Sequence, residues 1–303
     1  MSIIIAGGTG LIGTRLTELL IEKGYTAHIL TRQDKANKKG IKYFKWQVGI
    51  SIDMNVFEGA TAIINLTGAG IADKRWSKSR KKELLDSRVE PAKFLQGIMK
   101  SEGVHLKSYS SASGSNYYPN DLKKQYDEKD PPGDEFIQDL CVKWENQAND
   151  MMHHVDRVSI FRTGVVLAKS NSFLQKFTFT TRFLVAGLFG SGTQPLSWIH
   201  IDDLCHLYIH AIENPDFIGE FNAGISDNES HLSFIRTYLE VTGKKAMILK
   251  APKIISKLVF GEMSTLLNDG VSMSHQKAID NGFQFQFEDL RTAIQDLTKK
   301  ESD

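Results

Sequence analysis

The chain opens with one full alternation between an apolar strand pattern and an amphipathic helix pattern. Residues Ser2–Ala6 form a short continuous apolar run, which is typical of a strand buried on both faces. A glycine-rich turn follows, and apolar residues then recur at helical spacing from Leu11 to Leu20. Gly24 marks the end of this helix, and a β-branched, apolar run covers Thr26–Leu30. The first thirty residues therefore predict a strand–helix–strand unit.

The same alternation continues to about residue 165. The predicted strands are Ile41–Trp46, Thr61–Leu66, Val104–Ser111 and Val155–Phe161, and the clearest helices between them are Ser77–Glu102 and Phe136–Met152. Strands that alternate with helices predict a parallel sheet covered by helices on both faces, with right-handed crossovers.

Beyond residue 165 the pattern becomes less regular. Ile201–Glu213 and His231–Thr242 look helical, and a final amphipathic segment covers Phe287–Leu297. We therefore predict an α/β fold, a Rossmann-type doubly wound parallel sheet with a smaller mixed C-terminal lobe. Residues 1–165 are expected to form the main domain, segments around 166–224 to return partly to it, and residues 225–303 to build the second lobe.

Composition excludes several classes of protein. The 303 residues contain 37 Lys and Arg against 36 Asp and Glu, and a net charge of +1 argues against a dedicated binder of nucleic acid or of anionic membranes. Cys141 and Cys205 predict neither a disulfide framework nor a zinc site, and His153 and His154 have no third metal ligand nearby. There is no apolar run of the ~18 residues that a membrane span needs and no signal peptide. We therefore expect a cytoplasmic protein that binds no nucleic acid, membrane or metal.

A glycine-rich turn with the sequence GGTGLIG joins the first strand to the first helix. In a dinucleotide-binding turn, one glycine permits the tight bend, a second lets the backbone approach a pyrophosphate, and a third lets the helix pack closely on the strand. The helix N-terminus then directs free N–H groups at the phosphates. The alternative is a turn without a ligand, but the flanking elements favour a cofactor site that comprises Gly7, Thr9, Gly10, Leu11, Ile12 and Gly13.

The end of the second predicted strand indicates which dinucleotide is bound. An NAD site usually has an Asp or Glu about 20 residues after the turn, where it binds the ribose 2′-hydroxyl. Here Thr31 and Arg32 occupy that region, and Asp34 follows later in a polar loop. A guanidinium suits a 2′-phosphate, and Thr31 can add a hydroxyl. We therefore predict NADP, with a solvated strand-end charge as the alternative for Arg32.

These residues and several later motifs resemble those of the extended short-chain dehydrogenase/reductases, in particular the atypical "epimerase family" subgroup of NADP-dependent oxidoreductases. The resemblance covers nearly the whole chain, and its most specific motif is Leu66–Val89 with its RW and SR pairs. The other motifs are SASGSNYYP (Ser111–Pro119), DLCVKWENQA (Asp139–Ala148), FRTGVVLA (Phe161–Ala168), GSGTQPLSWIHIDDL (Gly190–Leu204) and GFQFQFEDLRTAI (Gly282–Ile294).

The resemblance implies further cofactor contacts, by Leu66, Thr67, Gly68, Glu83, Arg88 and Val165. The first three follow a strand whose end passes the adenosine ribose and pyrophosphate in the family. Glu83 and Arg88 match positions on the next helix that approach the cofactor, with an exposed helical charge pair as the alternative. Val165 follows FRTG, where the family uses main-chain atoms near the nicotinamide, with an ordinary buried valine as the alternative.

The resemblance also implies a catalytic Ser, Tyr and Lys, and this sequence departs from that set. Ser113 matches the serine. Alignment on Trp144-Glu145 places Ile137 and Cys141 where the tyrosine and lysine belong, and no Tyr-x-x-x-Lys occurs in the chain. Isoleucine cannot exchange a proton, and cysteine cannot act as the ammonium that lowers the pKa of a phenol.

Two tyrosines are candidate replacements for the missing phenol. Tyr117 and Tyr118 follow Ser113 on a loop that leaves the carboxyl edge of the predicted sheet. Either could act as the acid, and Tyr118 matches an aromatic that borders the site in the family, so a wall is its alternative role. Cys141 is interpreted as a small buried hydrophobe rather than a reactive thiol.

The remaining motif residues are expected to serve the structure. We predict that Asp202 caps the helix that follows it and that His200 fills the interface between the lobes. Trp198 and Phe189 are expected either to line the substrate cleft or to pack between the lobes as ordinary core residues. The basic run Lys74–Lys82 is interpreted as a solvated helix start.

These motifs favour an NADP(H)-dependent oxidoreductase, or a nucleotide-sugar-type epimerase that uses transient hydride transfer. Its small polar substrate would bind between the lobes. The alternative is a non-catalytic NADP(H)-binding sensor or scaffold, since the Tyr and Lys are missing, while a nucleic-acid-associated role is disfavoured by the neutral charge. A homodimer formed through the helices predicted at Ser77–Glu102 and Phe136–Met152 is a further expectation from the resemblance.

Overall fold

The computed structural model describes residues 1–169, 174, 179, 181–226 and 229–299. The strands are β1 (Ser2–Ala6), β2 (Thr26–Thr31), β3 (Ile41–Gln47), β4 (Ser51–Ile52), β5 (Ala60–Asn65), β6 (Leu106–Gly114), β7 (Gln125–Tyr126), β8 (Val155–Thr163), β9 (Val165–Leu167), β10 (Val185–Phe189), β11 (Trp198–His200), β12 (Gly219–Ala223), β13 (Met247–Ala251) and β14 (Ser272–Met273). The helices described in full are α1 (Leu11–Glu22), α2 (Lys78–Glu102), α3 (Phe136–Asn149), α4 (Ile201–Glu213), α5 (His231–Thr242), α6 (Lys253–Phe260), α7 (Thr265–Asn268), α8 (Gln276–Asp280) and α9 (Leu290–Thr298).

An eight-stranded sheet with the order β12-β8-β6-β5-β1-β2-β3-β4 forms the centre of the molecule. Its pairs are parallel, except for the short hairpin of β3 and β4. From β1 the chain builds β2 and β3 on one side and then crosses to β5, β6 and β8 on the other. This reversal opens a crevice at the carboxyl ends of β1 and β5, which is where doubly wound sheets bind ligands. The predicted Rossmann-type architecture is thereby confirmed.

The two faces of the sheet are buried by different helices because side chains alternate along a strand. Ile3 and Ile5 are fully buried in a core that includes residues of α1 and α4. Ile4 and Ala6 are fully buried in a second core with residues of α2 and α3. The continuous apolar run at the start of the chain is therefore explained by helices on both faces of β1.

Several predicted boundaries shift by a few residues for identifiable reasons. Helix α2 begins after Ser77, whose hydroxyl accepts the Arg80 N–H at 3.2 Å, and it ends before Gly103, which has a φ of +67°. Helix α9 begins at Leu290 rather than at Phe287, because the Asp289 carboxylate caps it by accepting the Thr292 N–H at 2.9 Å. Helix α3 ends at Asn149 and continues as a short 3-10 turn.

Three small strand pairs were not predicted from the apolar pattern: β10 with β13, β9 with β11, and β7 with β14. Residues beyond 165 also add to the main sheet, since β12 pairs with β8 from Gly219 to Ala223. The division at residues 165 and 225 stays a prediction. Among the residues described, no helix is long and apolar enough to cross a bilayer.

Candidate functional site

The GGTGLIG turn lies at the carboxyl end of β1, where the crevice opens. Gly7 has a φ of +83°, and a Cβ placed on it would lie 2.8 Å from the carbonyl carbon and oxygen of Leu66. A Cβ on Gly13 would lie 2.5 Å from the Gly7 carbonyl oxygen. By contrast, a Cβ on Gly10 would meet only that same oxygen, at 3.4 Å. The first and last of these glycines are therefore required by close backbone packing.

The start of α1 offers hydrogen-bond donors to a ligand. Its N-cap residue is Gly10, which has no side chain to satisfy the N–H groups of the first turn. A cavity of about 640 Å³ opens here, with Thr9, Gly10 and Leu11 on one wall and Lys169 and His200 among the residues opposite. Free N–H groups and the positive end of the helix suit the pyrophosphate of a dinucleotide.

Positive charge dominates the end of β2. Arg32 is exposed, and within the described ranges it forms no hydrogen bond or ion pair. The Thr31 hydroxyl is buried and is bound at 3.2 Å to the main chain of Gln33. The Asp34 carboxylate, the nearest acidic group in the sequence, is paired with Lys45 at 2.8 Å. This arrangement fits a 2′-phosphate better than an unphosphorylated ribose.

The residues that follow β5 lie against the glycine turn. The Leu66 N–H donates to the Ala6 carbonyl at 2.8 Å, next to the close approach of Gly7. The Thr67 N–H and hydroxyl both donate to the Asn65 side-chain oxygen, at 3.1 and 2.6 Å. Two strand ends are thus held together beneath the crevice.

Arg88, on α2, contacts the loop that follows β5 at Gly68 and Ala69. Its side chain is buried, and it donates to the carbonyls of Leu84 at 3.0 Å and Ala69 at 3.1 Å. A Cβ on Gly68 would lie 3.2 Å from the Arg88 guanidinium carbon, so the loop rests on this side chain. Burial lowers the pKa of Arg88 below its ordinary value. Arg88 therefore positions the loop through the Ala69 carbonyl, while its bond to Leu84 lies within α2.

Glu83 points away from this arrangement. Its side chain is 55% exposed and is paired with Arg80 at 2.8 Å, one turn away on α2. The hydrogen bond from Arg80 lowers the pKa of Glu83. This geometry favours a helical charge pair, but the partner is the buried Arg80 rather than Arg88, and only Glu83 is exposed.

Ser113 belongs to a buried polar network at the end of β6. Its hydroxyl donates to Glu145 Oε1 at 2.6 Å. The Glu145 carboxylate also accepts from Arg162 Nε at 3.0 Å and Nη2 at 2.8 Å. The guanidinium carbon of Arg162 lies 3.6 Å from the centre of the Tyr117 ring, and its Nη1 donates to the Tyr118 hydroxyl at 2.9 Å. The network therefore joins every catalytic candidate named from the sequence.

The two tyrosines differ in access. Tyr118 is fully buried, its hydroxyl donates to Asn222 Oδ1 at 2.8 Å, and burial raises the pKa of Tyr118 well above its usual value. Tyr117 is only partly buried, which raises the pKa of Tyr117, while the Arg162 cation opposes that rise. Tyr118 is enclosed by the protein, and Tyr117 is the one of the two with exposed surface.

The two residues that replace the family's tyrosine and lysine are inert. Ile137 and Cys141 are 5% and 2% exposed on the inner face of α3. Burial raises the pKa of the Cys141 thiol to about 12, so the thiolate is not formed at neutral pH. The interpretation of Cys141 as a small buried hydrophobe is confirmed.

Val165 begins β9, beside a close crossing of two chain segments. Its N–H donates to the Ser197 carbonyl at 2.8 Å, and a Cβ on Gly164 would lie 2.6 Å from that same oxygen. Trp198 is fully buried, as in ordinary core packing, and Phe189 lies against Phe260 with ring centres 6.1 Å apart.

The prediction that Asp202 caps α4 is wrong. The N-cap residue is His200, whose Nδ1 accepts the Asp202 N–H at 3.1 Å. The Asp202 carboxylate instead accepts from Arg15 Nε at 2.7 Å and Nη2 at 3.1 Å, because Arg15 on α1 faces this end of α4. The His200 ring stacks on Phe287 with centres 3.8 Å apart, and its role at an interface between lobes stays a prediction.

The sequence motifs did not identify Arg162 as a site residue, and Glu145 served only to align the helix. A signal for both was present. Glu145 continues the four-residue spacing of Ile137 and Cys141, which places its carboxylate on the buried face of α3. Arg162 is a charge within a buried strand. A buried charge is costly unless it is paired, so a buried Glu and a buried Arg are expected to form an ion pair. Among the described residues, no group of three His, Cys, Asp or Glu could hold a metal ion.

Two family models and several curated relatives match this chain. The model of the NAD dependent epimerase/dehydratase family matches residues 3–224, and that of a domain of unknown function, DUF1731, matches residues 251–297. An epimerase family protein of Staphylococcus aureus is 33% identical over 300 residues, which cover 98% of this chain and 99% of the relative. One of Staphylococcus epidermidis is 32% identical over 98% of each chain.

Solved structures give the same result. Human epimerase family protein SDR39U1 with NADPH superposes with a TM-score of 0.85 at 27% identity, over 98% of this chain and 99% of that chain. UDP-N-acetylglucosamine 4-epimerase from Bacillus cereus, at 18% identity and a TM-score of 0.77 over 98% of each chain, shares the fold. These matches confirm the resemblance that the sequence motifs indicated. The chain therefore belongs to the NAD-dependent epimerase/dehydratase family.

Proposed function

We propose that this protein is an NADP(H)-dependent oxidoreductase or epimerase that acts on a small polar substrate. The observation that carries this proposal is a phosphate-binding turn combined with an exposed Arg32 that has no ion-pair partner in the described ranges. The similar human structure contains NADPH, which supports the choice of the phosphorylated cofactor.

The chain's own groups fit each part of the cofactor. The first-turn N–H groups of α1 face the pyrophosphate, and Lys169 lines the same cavity. Arg32 binds the 2′-phosphate, since the carboxylate of Asp34 is already occupied by Lys45. When bound, the nicotinamide would supply or accept the hydride of the reaction. The residues that would hold a dinucleotide lie at the ends of β1, β2 and β5, on the carboxyl edge of the sheet.

Tyr117 moves the proton in this proposal. In the reductive direction, the phenol gives its proton to the substrate oxygen as the hydride reaches the adjacent carbon. The resulting phenolate lies next to the Arg162 guanidinium, which stabilises the negative charge. The Ser113 hydroxyl donates a hydrogen bond to Glu145 at 2.6 Å. Its role in this proposal is to hold that carboxylate next to Arg162. Tyr118 remains a buried wall.

The cofactor assignment is tested by the affinities for NADPH and NADH, measured by fluorescence titration. We expect the wild type to prefer NADPH, and Arg32→Gln to lower that affinity by roughly 10- to 100-fold while leaving NADH unchanged, because a charge-assisted hydrogen bond is lost. Lys100→Gln, at an exposed lysine of α2, is the matched control. Equal affinities in the wild type, or equal losses for both cofactors, would refute the assignment.

The proton-transfer assignment is tested by turnover. Ketones, quinones and sugar nucleotides are screened for NADPH oxidation or for epimerisation. We expect Tyr117→Phe to lower kcat at least ~100-fold with NADPH affinity unchanged, because general acid catalysis contributes that much. Tyr25→Phe is the control. The Tyr25 hydroxyl donates to Glu213 at 3.2 Å, on a part of the protein away from the site. Full activity in Tyr117→Phe would refute its role.

A second function has its own support in the burial of Ile137 and Cys141. A protein that binds NADPH tightly but turns over no compound in that screen would act as a cofactor-dependent sensor or scaffold. Limited proteolysis with and without NADPH would then be the measurement, since a sensor must change its surface when the cofactor binds.

A further inference from the structure

The C-terminal part of the chain exposes an unusual number of large apolar side chains. Ile254 is 77% exposed, Leu258 is 79% exposed and Phe183 is 68% exposed. Such residues are normal when scattered, but a cluster indicates an interaction site. We name this cluster the basic–apolar surface; its apolar members are Phe179, Phe183, Leu184, Met247, Leu249, Ile254, Ile255, Leu258 and Val259.

The fold brings these residues together from two parts of the chain. Strands β10 and β13 are parallel neighbours, and the Met247 N–H donates to the Leu184 carbonyl at 2.8 Å just before β10 begins. Helix α6 follows β13 after a single residue, Pro252. Within α6 only Ser256 is buried, and its hydroxyl donates to Asn268 at 3.0 Å. The helix is thus held along one side, where Phe260 also packs against Phe189, and it exposes Ile254, Ile255, Lys257, Leu258 and Val259.

Positive charge is concentrated in the same segment. Residues 243–260 contain five lysines and no acidic residue, whereas the rest of the chain has four more acidic than basic residues. Lys245, Lys250 and Lys257 are exposed and, among the described residues, form no ion pair. Lys253 lies 3.8 Å from Asp269, and Lys244 donates to the Tyr238 hydroxyl at 2.7 Å. The net charge of the whole chain is close to zero, and for that reason the sequence predicted no membrane contact. That net value does not show the local surplus of lysines in residues 243–260.

We propose that the basic–apolar surface docks on a lipid bilayer that contains anionic phospholipids. An occupant of this surface must cover apolar side chains and neutralise lysines at the same time. The headgroup region of an anionic bilayer does both, because apolar side chains enter the acyl boundary while lysines contact the phosphates. The eight-residue helix α6 is suited to lie in the interface, with its axis parallel to the bilayer.

Charge argues against a second copy of the chain as the occupant. A two-fold dimer places the same surface on both sides of the interface. The lysines of one copy would then face those of the other across a desolvated contact, which is unfavourable. An anionic bilayer presents the opposite charge, so the electrostatic and apolar contributions act together.

The test is cosedimentation of the full-length protein, saturated with NADPH, with vesicles of phosphatidylcholine alone or mixed with phosphatidylserine. We expect at least about tenfold stronger partition onto the mixed vesicles, weakened by added salt. Lys250→Glu/Lys257→Glu should lower this partition by at least ~25-fold, at about fivefold for each lysine lost. Ile254→Ser/Leu258→Ser should lower it by a similar factor.

Ile50→Ser/Leu122→Ser is the matched control, because these exposed residues lie on other parts of the chain and should not change the partition. An unchanged NADPH affinity shows that each variant is folded, since no substituted residue lies in the cofactor site. Equal partition onto both kinds of vesicle, or full binding by the two test variants, would overturn the proposal. Light scattering is a further test. A dimer that becomes a monomer in Ile254→Ser/Leu258→Ser would also overturn the proposal, because a second copy of the chain would then cover the surface.

Discussion

The buried ion pair between Glu145 and Arg162 allows a quantitative test of the site's construction. Their side chains are only 6% and 4% exposed. Two hydrogen bonds join them, at 2.8 and 3.0 Å, and Ser113 donates to the same carboxylate. Replacing either residue alone leaves the other charge buried without its main partner, which is the costly way to disturb such a pair.

The expected cost of Arg162→Met is about 3–5 kcal/mol in the free energy of unfolding. Glu145 would keep only the hydrogen bond from Ser113, and the contact of the guanidinium with the Tyr117 ring would be lost. Glu145→Gln should cost about 3 kcal/mol, at the lower end of this range. The reason is that Arg162 keeps two acceptors, the Tyr118 hydroxyl at 2.9 Å and the Glu128 carbonyl at 3.2 Å.

The double variant Arg162→Met/Glu145→Gln removes both charges and should be destabilised by less than the sum of the costs of its two single variants. We expect a coupling energy of roughly 3 kcal/mol. Urea unfolding, followed by circular dichroism, is the assay, because guanidinium salts would screen the charges. Lys143→Met is the matched control: its 2.7 Å pair with Asp139 is about half exposed and should contribute less than about 0.5 kcal/mol.

Two outcomes would refute this reasoning. If the single variants cost under about 1 kcal/mol each, the pair behaves like an exposed one and the site is open to water. If the costs of the single variants simply add, then the two charges do not depend on each other in the folded protein. In either case Arg162 would not be the cation that is held beside Tyr117.

Four further predictions concern a helix, the glycine turn and two histidines. Gly97→Ala should raise the free energy of unfolding in urea by roughly 0.5–1 kcal/mol, because a Cβ on this residue of α2 meets nothing within 4 Å. Gly13→Ala should abolish NADPH binding in a fluorescence titration, because its Cβ would lie 2.5 Å from the Gly7 carbonyl oxygen. Burial lowers the pKa of His231 to about 4 from its ordinary 6.5, so its contribution to stability is complete above pH 6.5 and is lost as the pH falls toward 4. Unfolding measured across that range should show this slope, and His231→Gln should reduce it. His200→Ala should lower the thermal midpoint by removing a cap that contributes about 1 kcal/mol; an unchanged midpoint would contradict its capping role.

Much of the fold could be predicted because local patterns determine its main elements. Helices α4 and α5 begin and end at the predicted residues, since each has a regular apolar face and buries it against the rest of the chain. The pairing of β10 with β13 could not be predicted, because β13 is largely exposed and its partner is distant in sequence.

The same distinction applies to the candidate site. The glycine turn is predictable because its steric demands fall on neighbouring residues, Gly7 to Gly13. The network of Ser113, Glu145 and Arg162 comes from β6, α3 and β8, so no single motif contains it. The cap of α4 was assigned to the wrong residue because aspartate is the commoner cap, and the sequence does not show that Arg15 attracts Asp202 elsewhere.

The missing tyrosine and lysine have a consequence for any proton chemistry at this site. In the family pattern the cation comes from the helix, one turn after the tyrosine. Here Ile137 and Cys141 fill those positions with apolar groups, and the cation beside the exposed phenol comes from β8 as Arg162. Arg162 also carries the buried ion pair, so a variant of it would disturb folding and proton transfer together. Tyr117→Phe leaves that pair in place, and under the proposed function it is the substitution that separates the chemistry from the stability of the sheet edge.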